Sequence, residues 1–286
     1  MQTKTDEILF RCSRIGSLMT EAKAKKIVHY FVNDVKVKYP TFEKLILAGR
    51  FEGLRTETET ITPKQDELSQ TAKSYIEEVW RKNKFGYEEK VMTDPMKKGL
   101  ICEQDSMSLV QSVIGGSLRL RYNKELSNEY IKGTPDIVLF NDGIIEDIKT
   151  SYTLKTFMDA ELDSNYYGQG QGYMKLANEL PNLKVPFTQY RLIYCLVPTP
   201  DDMIQNERMR LGYKFLDNEN NPDYKDMDEQ IQHNNNIISK IPEIERVKVF
   251  PFEFDGGYIS ELYHRVRSAR EYYKGIVLNP HKYLPN

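Results

Sequence analysis

The chain has 286 residues, of which 40% are apolar, and its 40 Lys plus Arg against 42 Asp plus Glu give a formal net charge of −2. This near-neutral charge gives no global attraction to polyanions, so any nucleic-acid binding must depend on local basic clusters. The three cysteines lie far apart and form no CxxC pair, which argues against a disulfide framework and a thiolate zinc site. They are Cys12, Cys102 and Cys195.

The chain is expected to be cytoplasmic and to have no membrane segment. Asp6 and Glu7 precede any apolar stretch, unlike the start of a secretory signal peptide. The longest apolar run, residues 192–197, is far shorter than the ~20 residues that cross a bilayer.

Apolar periodicity and turn residues predict the elements in chain order. They are helices over 13–31, 64–84 and 96–113, strands over 137–140 and 144–148, a helix over 165–180, strands over 190–197 and 246–254, and a closing helix over 259–273. The polar segment 201–240 is interpreted as an insertion or mobile flap, with a surface loop and one polar helix as the alternative. This order predicts an α/β fold, in which helices flank a mixed central β-sheet in a single domain over 1–286.

The two strands around Asn-Asp-Gly at 141–143 predict a hairpin that gathers charged side chains on one face. Asp147 and Lys149 share a face because side chains alternate along a strand. A two-residue turn at 142–143 would place Asp136 on that same face, opposite Lys149. A three-residue turn would send Asp136 to the other face.

Two carboxylates this close repel each other unless a cation lies between them. Oxygen ligands without nearby His or Cys favour Mg²⁺ or Mn²⁺, and the backbone carbonyl of Ile148 would add another oxygen. A lysine beside such a site can orient or deprotonate water, and Glu103 on the third helix would be a further ligand, directly or through water. These groups suit metal-assisted hydrolysis of a phosphodiester. The alternative is a surface hairpin with an ion pair worth about 0.2–1 kcal/mol.

The helix over 165–180 carries a second polar group. Gln169 and Tyr173 share one helix face with Tyr166, where they would contact a phosphate or base, or simply pack against the sheet. Each glycine inside a helix costs about 1 kcal/mol relative to alanine, so three alternating glycines indicate close approach by another backbone or a ligand. They are Gly168, Gly170 and Gly172.

Four motifs follow one another at characteristic distances. They are Phe10-Arg-Cys-Ser-Arg-Ile-Gly-Ser17, Gly99-Leu-Ile-Cys-Glu103, Pro135-Asp136 followed by Asp147-Ile-Lys149, and Tyr166-Tyr-Gly-Gln169-Gly-Gln171 with Tyr173. In order and approximate spacing they resemble the PD-(D/E)xK nuclease superfamily and, more narrowly, the phage lambda exonuclease and YqaJ-type viral recombinase family. The likeness spans roughly residues 8–20 and 95–197, and is absent from about 30–70 and from 201–240.

The resemblance implies a restriction-endonuclease-like core and an Mg²⁺-dependent deoxyribonuclease, with Mn²⁺ as a substitute. The implied catalytic residues are Glu103, Asp136, Asp147, Lys149 and Gln169. The three acids would hold the metal with the Ile148 carbonyl, and Lys149 would assist the attacking water.

The resemblance also implies how DNA is handled. Digestion would run 5′→3′ on linear duplex DNA and leave 3′ single strands for a phage-type annealing protein. The enzyme would be a homo-oligomer, such as a trimeric ring, in the host cytoplasm if phage-encoded. Arg11 is the first candidate for the end phosphate, before Arg14 and Ser17, and Tyr166 and Tyr173 are the other DNA-binding candidates.

Two alternatives stay open. The first is a structure-selective endonuclease of the same superfamily; a Cas4-like nuclease is disfavoured because three dispersed cysteines cannot build the usual four-cysteine iron–sulfur site. The second is a DNA-binding or assembly module whose acidic hairpin is catalytically inert.

Overall fold

The computed structural model describes residues 8–64, 66–89, 91–215 and 221–283. Its elements in chain order are β1 (Phe10–Arg11), α1 (Ile15–Met19), β2 (Lys25–Val32), β3 (Val35–Val37), α2 (Tyr39–Leu47), β4 (Leu54–Ile61), α3 (Gln70–Phe85), α4 (Asp94–Ile101), α5 (Glu103–Ile114), β5 (Leu126–Ser127), β6 (Ile131–Gly133), β7 (Ile137–Leu139), β8 (Ile144–Thr150), α6 (Leu154–Met158), α7 (Ser164–Ala177), β9 (Gln189–Cys195), α8 (Asp201–Lys214), α9 (Pro222–Lys240), β10 (Val247–Glu253), α10 (Gly256–Leu278) and α11 (Pro280–Tyr283).

A four-stranded mixed sheet, in the order β10-β9-β8-β7, forms the centre of the fold. β8 and β9 run parallel, and the two outer pairs are antiparallel. Ile145 faces the main core, on the side covered by α7, whereas Ile148 packs with residues of α5 on the opposite side. The mixed central sheet with flanking helices that the sequence predicts is therefore present.

Helix α7 lies against its neighbours at distances that only glycine permits. A Cβ atom built on Gly172 would lie 2.6 Å from Ile15 Cδ1, and one on Gly168 would lie 2.9 Å from Ile15 Cγ2. A Cβ on Gly170 would lie 2.7 Å from Tyr190 Cγ in β9. The glycines thus allow the segment around α1 and strand β9 to pack closely against the helix, which confirms the predicted close approach.

The predicted helix over 13–31 is wrong beyond its first third. Only α1 and a preceding 3₁₀ turn are helical, and residues 25–32 form β2, which pairs with β3 and β4 in a separate three-stranded sheet. The β-branched and aromatic residues of β2 favour a strand, and its apolar positions also fit a helical period. A type I′ turn signal was available at Asn33 and Asp34, whose φ angles are +46° and +65°.

Two other regions differ in detail from their predictions. The predicted helix over 96–113 is divided at Cys102 into α4 and α5. The polar segment 201–240 forms two helices, α8 and α9, that pack against each other, instead of a loop with one helix. Residues 216–220 between them lie outside the described ranges. Within those ranges, no helix combines the length and the apolar character that a bilayer crossing requires.

The close packing of α7 predicts a large difference between two glycine substitutions. Gly170→Ala should lower the free energy of unfolding by about 1–3 kcal/mol, because the new methyl group would lie 2.5 Å from Phe252 Cζ. Gly99→Ala is the matched control, since its Cβ meets nothing within 4 Å in α4 and should be neutral or stabilising by up to about 1 kcal/mol. Denaturant titration measures both; equal values would contradict this account.

Candidate active site

The hairpin β7–β8 has a four-residue turn, where the sequence predicts two residues. Leu139 pairs with Ile144, and residues 140–143 form the turn. The Asp142 N–H donates to the Leu139 carbonyl over 3.1 Å, and Gly143 has φ +65°. Loops of this length are usually built around a type I turn, and a glycine accepts the left-handed conformation at its end.

The longer turn moves the register by two residues. Because Ile137 pairs with Glu146, continuation of the register sets Asp136 opposite Asp147, and the predicted position opposite Lys149 is wrong. A shift of two leaves every side chain on its expected face, since the side-chain period of a strand is two. The three charged residues therefore still share one face.

The site lies where β8 loses a neighbouring strand. β7 pairs with β8 only as far as Glu146, so residues 147–150 have no strand partner on that side among the described residues; we call this stretch the open edge of β8. Asp147 begins the open edge and is only 2% exposed, whereas Asp136 and Lys149 are half-buried. The acidic group is thus anchored in the core and reachable from one side.

Helix α7 supplies the polar neighbours of Asp147. Gln169 donates from Nε2 to Asp147 Oδ1 over 3.2 Å, and its Nε2 also lies 3.3 Å from the Tyr173 hydroxyl. Asp147 Oδ2 lies 2.6 Å from Lys149 Nζ, although no donor in the described ranges is aligned for a hydrogen bond to this oxygen. The structure therefore brings the predicted Gln169 and Tyr173 to the acidic pair.

Lys149 is held as a cation. Burial, the largest single effect, lowers its pKa, but the carboxylates of Asp147 and Asp136 more than offset this, and the pKa of Lys149 is raised above its ordinary value. Its ammonium nitrogen also lies 5.4 Å from the centre of the Tyr166 ring, at cation–π distance. In this state the lysine can donate hydrogen bonds and stabilise negative charge, and it holds its own proton firmly.

Each of the two acids makes the ionised form of the other less stable. Burial and, after it, the contact with Asp147 raise the pKa of Asp136 to about 7, against the opposing effect of the positive charges of Lys149 and Arg121. A pair of carboxylates in this state gains when a cation comes between them. The donor set, which is all oxygen, fits a hard divalent ion such as Mg²⁺ or Mn²⁺.

Glu103 is not brought into this group. It begins α5 and forms an ion pair with Arg121. Among the residues that the structure describes, no third Asp, Glu, His or Cys joins Asp136 and Asp147 in a metal-binding arrangement. The role of Glu103 as a ligand, and that of the Ile148 carbonyl, therefore stay predictions.

The predicted DNA-binding residues of the N-terminal segment lie beside α7. A Cβ on Gly16 would be 2.5 Å from Asn165 Cα, so this segment runs against the N-terminal turn of the helix. Arg14 Nη2 donates to Glu78 over 3.1 Å, and an Arg11 nitrogen lies 3.6 Å from Glu88. Ser17 is half-buried on α1. Both arginines are thus paired at the surface with acids of the α3 region.

Sequence reasoning missed a buried ion network on the other face of β8. Glu146 is fully buried and receives two bonds from Arg119, Nε–Oε2 at 2.6 Å and Nη2–Oε1 at 3.0 Å, while Arg191 lies 3.3 Å away. The signal was an acid inside an apolar strand, next to Asp147 but on the opposite face. Because breaking a buried pair leaves an uncompensated charge, this network fixes the chain before Arg121 firmly to β8.

Another motif residue has a structural role. The buried side chain of Gln171 donates from Nε2 to the Glu253 carbonyl over 2.8 Å and accepts the Asp255 N–H over 2.8 Å. It therefore joins α7 to the end of β10 and the start of α10.

This architecture occurs in two solved structures. A phage-related exonuclease from Haemophilus somnus 129PT superposes with a TM-score of 0.62 and 20% identity, covering 95% of this chain and 96% of the other. An alkaline exonuclease from Laribacter hongkongensis superposes with a TM-score of 0.52 and 12% identity, covering 96% and 92%. The chain has the fold of these exonucleases. The predicted α/β core, restriction-endonuclease-like in its fold, is thereby confirmed. No protein-family model and no curated protein sequence matches the chain.

The raised pKa of Asp136 predicts a pH-dependent stability in the presence of a chelator. The folded protein holds a proton on Asp136 up to about pH 7, whereas the unfolded chain loses it near the ordinary value of 3.8, so stability should fall as the pH rises through this window. Asp136→Asn should therefore be about 1–3 kcal/mol more stable than the wild type at pH 8 and closer to it at pH 5.

The control for this measurement is Asp142→Asn, which removes an exposed carboxylate from the turn of the same hairpin. Its unfolding free energy should follow the wild type at both pH values. A variant Asp136→Asn whose difference from the wild type does not change with pH would contradict the mutual destabilisation of the two acids.

Proposed function

We propose that this protein is a metal-dependent DNA exonuclease that hydrolyses phosphodiesters of linear duplex DNA. The observation that carries the proposal is the contact of Asp136 and Asp147 beside Lys149 at the open edge of β8. Lys149 balances the negative charge of the two carboxylates only in part, because the pKa of Asp136 is raised even beside this ammonium. The shared fold with two exonuclease structures is consistent with it.

The chemistry divides among the side chains of the site. Asp136 and Asp147 would hold a divalent cation, which would supply the charge that lowers the pKa of water and neutralises a phosphate. Lys149, as an ammonium, positions the attacking water and stabilises the developing negative charge. Gln169 donates to Asp147 Oδ1 and so fixes the orientation of this carboxylate, whose Oδ2 lies beside Lys149 Nζ.

The finer features extend the proposal. They follow from the resemblance of the motifs: 5′→3′ digestion, 3′ single strands passed to an annealing protein, Arg11, Arg14 and Ser17 at the end phosphate, and a homo-oligomer such as a trimeric ring. Tyr166 and Tyr173 would contact the DNA strand near the site. A ring would also hold a near-neutral chain on DNA, since enclosure replaces strong attraction between charges.

Removal of the central charges should abolish hydrolysis without unfolding the protein. Asp147→Asn and Lys149→Met should each reduce degradation of a linear duplex in Mg²⁺ by about 10²–10⁴-fold, because the first variant loses a ligand of the cation and the second loses the ammonium that stabilises the developing charge. Lys155→Met, which replaces an exposed lysine of helix α6, is the matched control and should retain wild-type activity.

The measurement is gel analysis of an end-labelled duplex, with circular dichroism to verify folding. Activity of the wild type should disappear with a chelator and return with Mg²⁺ or Mn²⁺. A folded wild-type protein that degrades no DNA with either ion would instead support the inert DNA-binding module.

The form of the DNA end tests the second part of the proposal. A 5′-phosphorylated linear duplex should be degraded about tenfold faster than a 5′-hydroxyl duplex, and Arg11→Gln should remove the difference, because a charge-assisted contact to the phosphate is lost. Arg50→Gln, on the surface outside the motifs, should preserve it.

Covalently closed circular DNA should stay intact in the same assay. Nicking of the closed circle would favour the structure-selective endonuclease over the exonuclease.

A further inference from the structure

Arg121 occupies a position next to the acidic pair that none of the motifs assigns. Its backbone forms an isolated antiparallel bridge with Ile137, and the N–H of Tyr122 donates to the Asp136 carbonyl over 2.9 Å. The residue therefore lies one strand outward from Asp136, at the border of the candidate active site.

The position of Arg121 is fixed two residues earlier. Arg119 is buried and bound to Glu146, and it also donates to the Gly115 carbonyl over 2.8 Å and to Gln111 Oε1 over 3.3 Å. The backbone at Arg121 is consequently tied to β8, while its side chain remains 44% exposed. This combination of a rigid base and a reachable guanidinium is suited to ligand binding.

The guanidinium interacts electrostatically with two acids of the proposed site. It is ion-paired with Glu103, whose side chain is 32% exposed, and its charge also acts on Asp136. An exposed ion pair contributes little to stability, about 0–1 kcal/mol, and can be exchanged for other partners. In contrast, the pair of Arg119 with Glu146 is buried and permanent.

We propose that Arg121 is a phosphate-binding residue of this site and that Glu103 is its partner before substrate arrives. Glu103 leaves Arg121 when it turns toward a divalent cation held by Asp136 and Asp147, and the freed guanidinium then donates to the non-bridging oxygens of a DNA phosphate. A guanidinium suits this task because its planar fork of donors matches a phosphate in two-point contact. The inference rests on the proposed nuclease function and assigns to it a residue that binds substrate.

This assignment predicts opposite effects on two measurements. Arg121 and the cation compete for Glu103, so loss of Arg121 should strengthen cation binding and weaken hydrolysis. A purely structural role of Arg121 would weaken both.

The test uses the wild-type chain, Arg121→Gln, Arg121→Lys, Glu103→Gln and the double variant. Mn²⁺ is titrated without DNA and the free ion is followed by electron paramagnetic resonance. Arg121→Gln should bind Mn²⁺ about two- to fivefold tighter, the range that an exposed ion pair allows. Glu103→Gln should bind it more weakly, and Arg121→Gln should add little in the Glu103→Gln background, because the competition requires both side chains.

Hydrolysis of a linear duplex is measured on the same samples. Arg121→Gln should lower kcat by about tenfold or more, since a donor to the reacting phosphate is lost, and Arg121→Lys should recover part of it. The control is Arg267→Gln, which removes an exposed arginine of α10 and should change neither measurement.

Mn²⁺ affinity that is unchanged or weaker in Arg121→Gln overturns the competition, and an unchanged kcat overturns the phosphate contact. Failure of the proposed function is recognised separately, because the wild type itself would then degrade no DNA. The phosphate contact would fail with it, while the Mn²⁺ titration would still decide whether Arg121 and the cation share Glu103.

Discussion

The mutual repulsion of Asp136 and Asp147 is the interaction on which the candidate site depends. Asp147 is nearly inaccessible, yet it touches a second carboxylate whose pKa is raised to about 7 by burial and by Asp147 itself. The ammonium of Lys149 offsets only part of this charge, since the pKa of Asp136 stays raised beside it, while Gln169 donates to Asp147. A fold that retains this arrangement loses stability unless a cation joins it, which is the behaviour of a binding site more than that of a structural ion pair.

The surrounding elements hold these two mutually repelling carboxylates in contact. The glycines of α7 let the helix approach β9 on one side and the segment around α1 on the other, so that Gln169 reaches Asp147 while the N-terminal arginines lie along the same helix. On the opposite face of the sheet, Arg119 is bound to the fully buried Glu146. The acids on the two faces of β8 therefore have different kinds of partner. Glu146 is bound permanently by Arg119, whereas Asp147 on the other face has partners that a cation can replace.

Much of the hairpin could be predicted because strand side chains repeat every two residues. The turn is longer than predicted by two residues, an even number, so Asp136 kept its face although its cross-strand partner changed from Lys149 to Asp147. The N-terminal helix failed because the apolar spacing of residues 13–31 fits a helix and a strand alike, and pairing with β4 decides between them. The ion pair of Glu103 with Arg121 was beyond sequence reasoning, since it joins a helix to an isolated bridge through tertiary packing alone.

The pairing of surface arginines offers a route by which a chain of net charge −2 would bind a polyanion, as the proposed function requires. Arg11, Arg14 and Arg121 each lie against a glutamate in the described structure, with Glu88, Glu78 and Glu103 as the partners. Exposed pairs of this kind cost little to separate, so a phosphate can replace each glutamate without the protein carrying an excess of positive charge beforehand. Affinity for DNA would then arise where phosphates replace glutamates as the partners of a few arginines. The released glutamates could bind the cations that accompany the DNA.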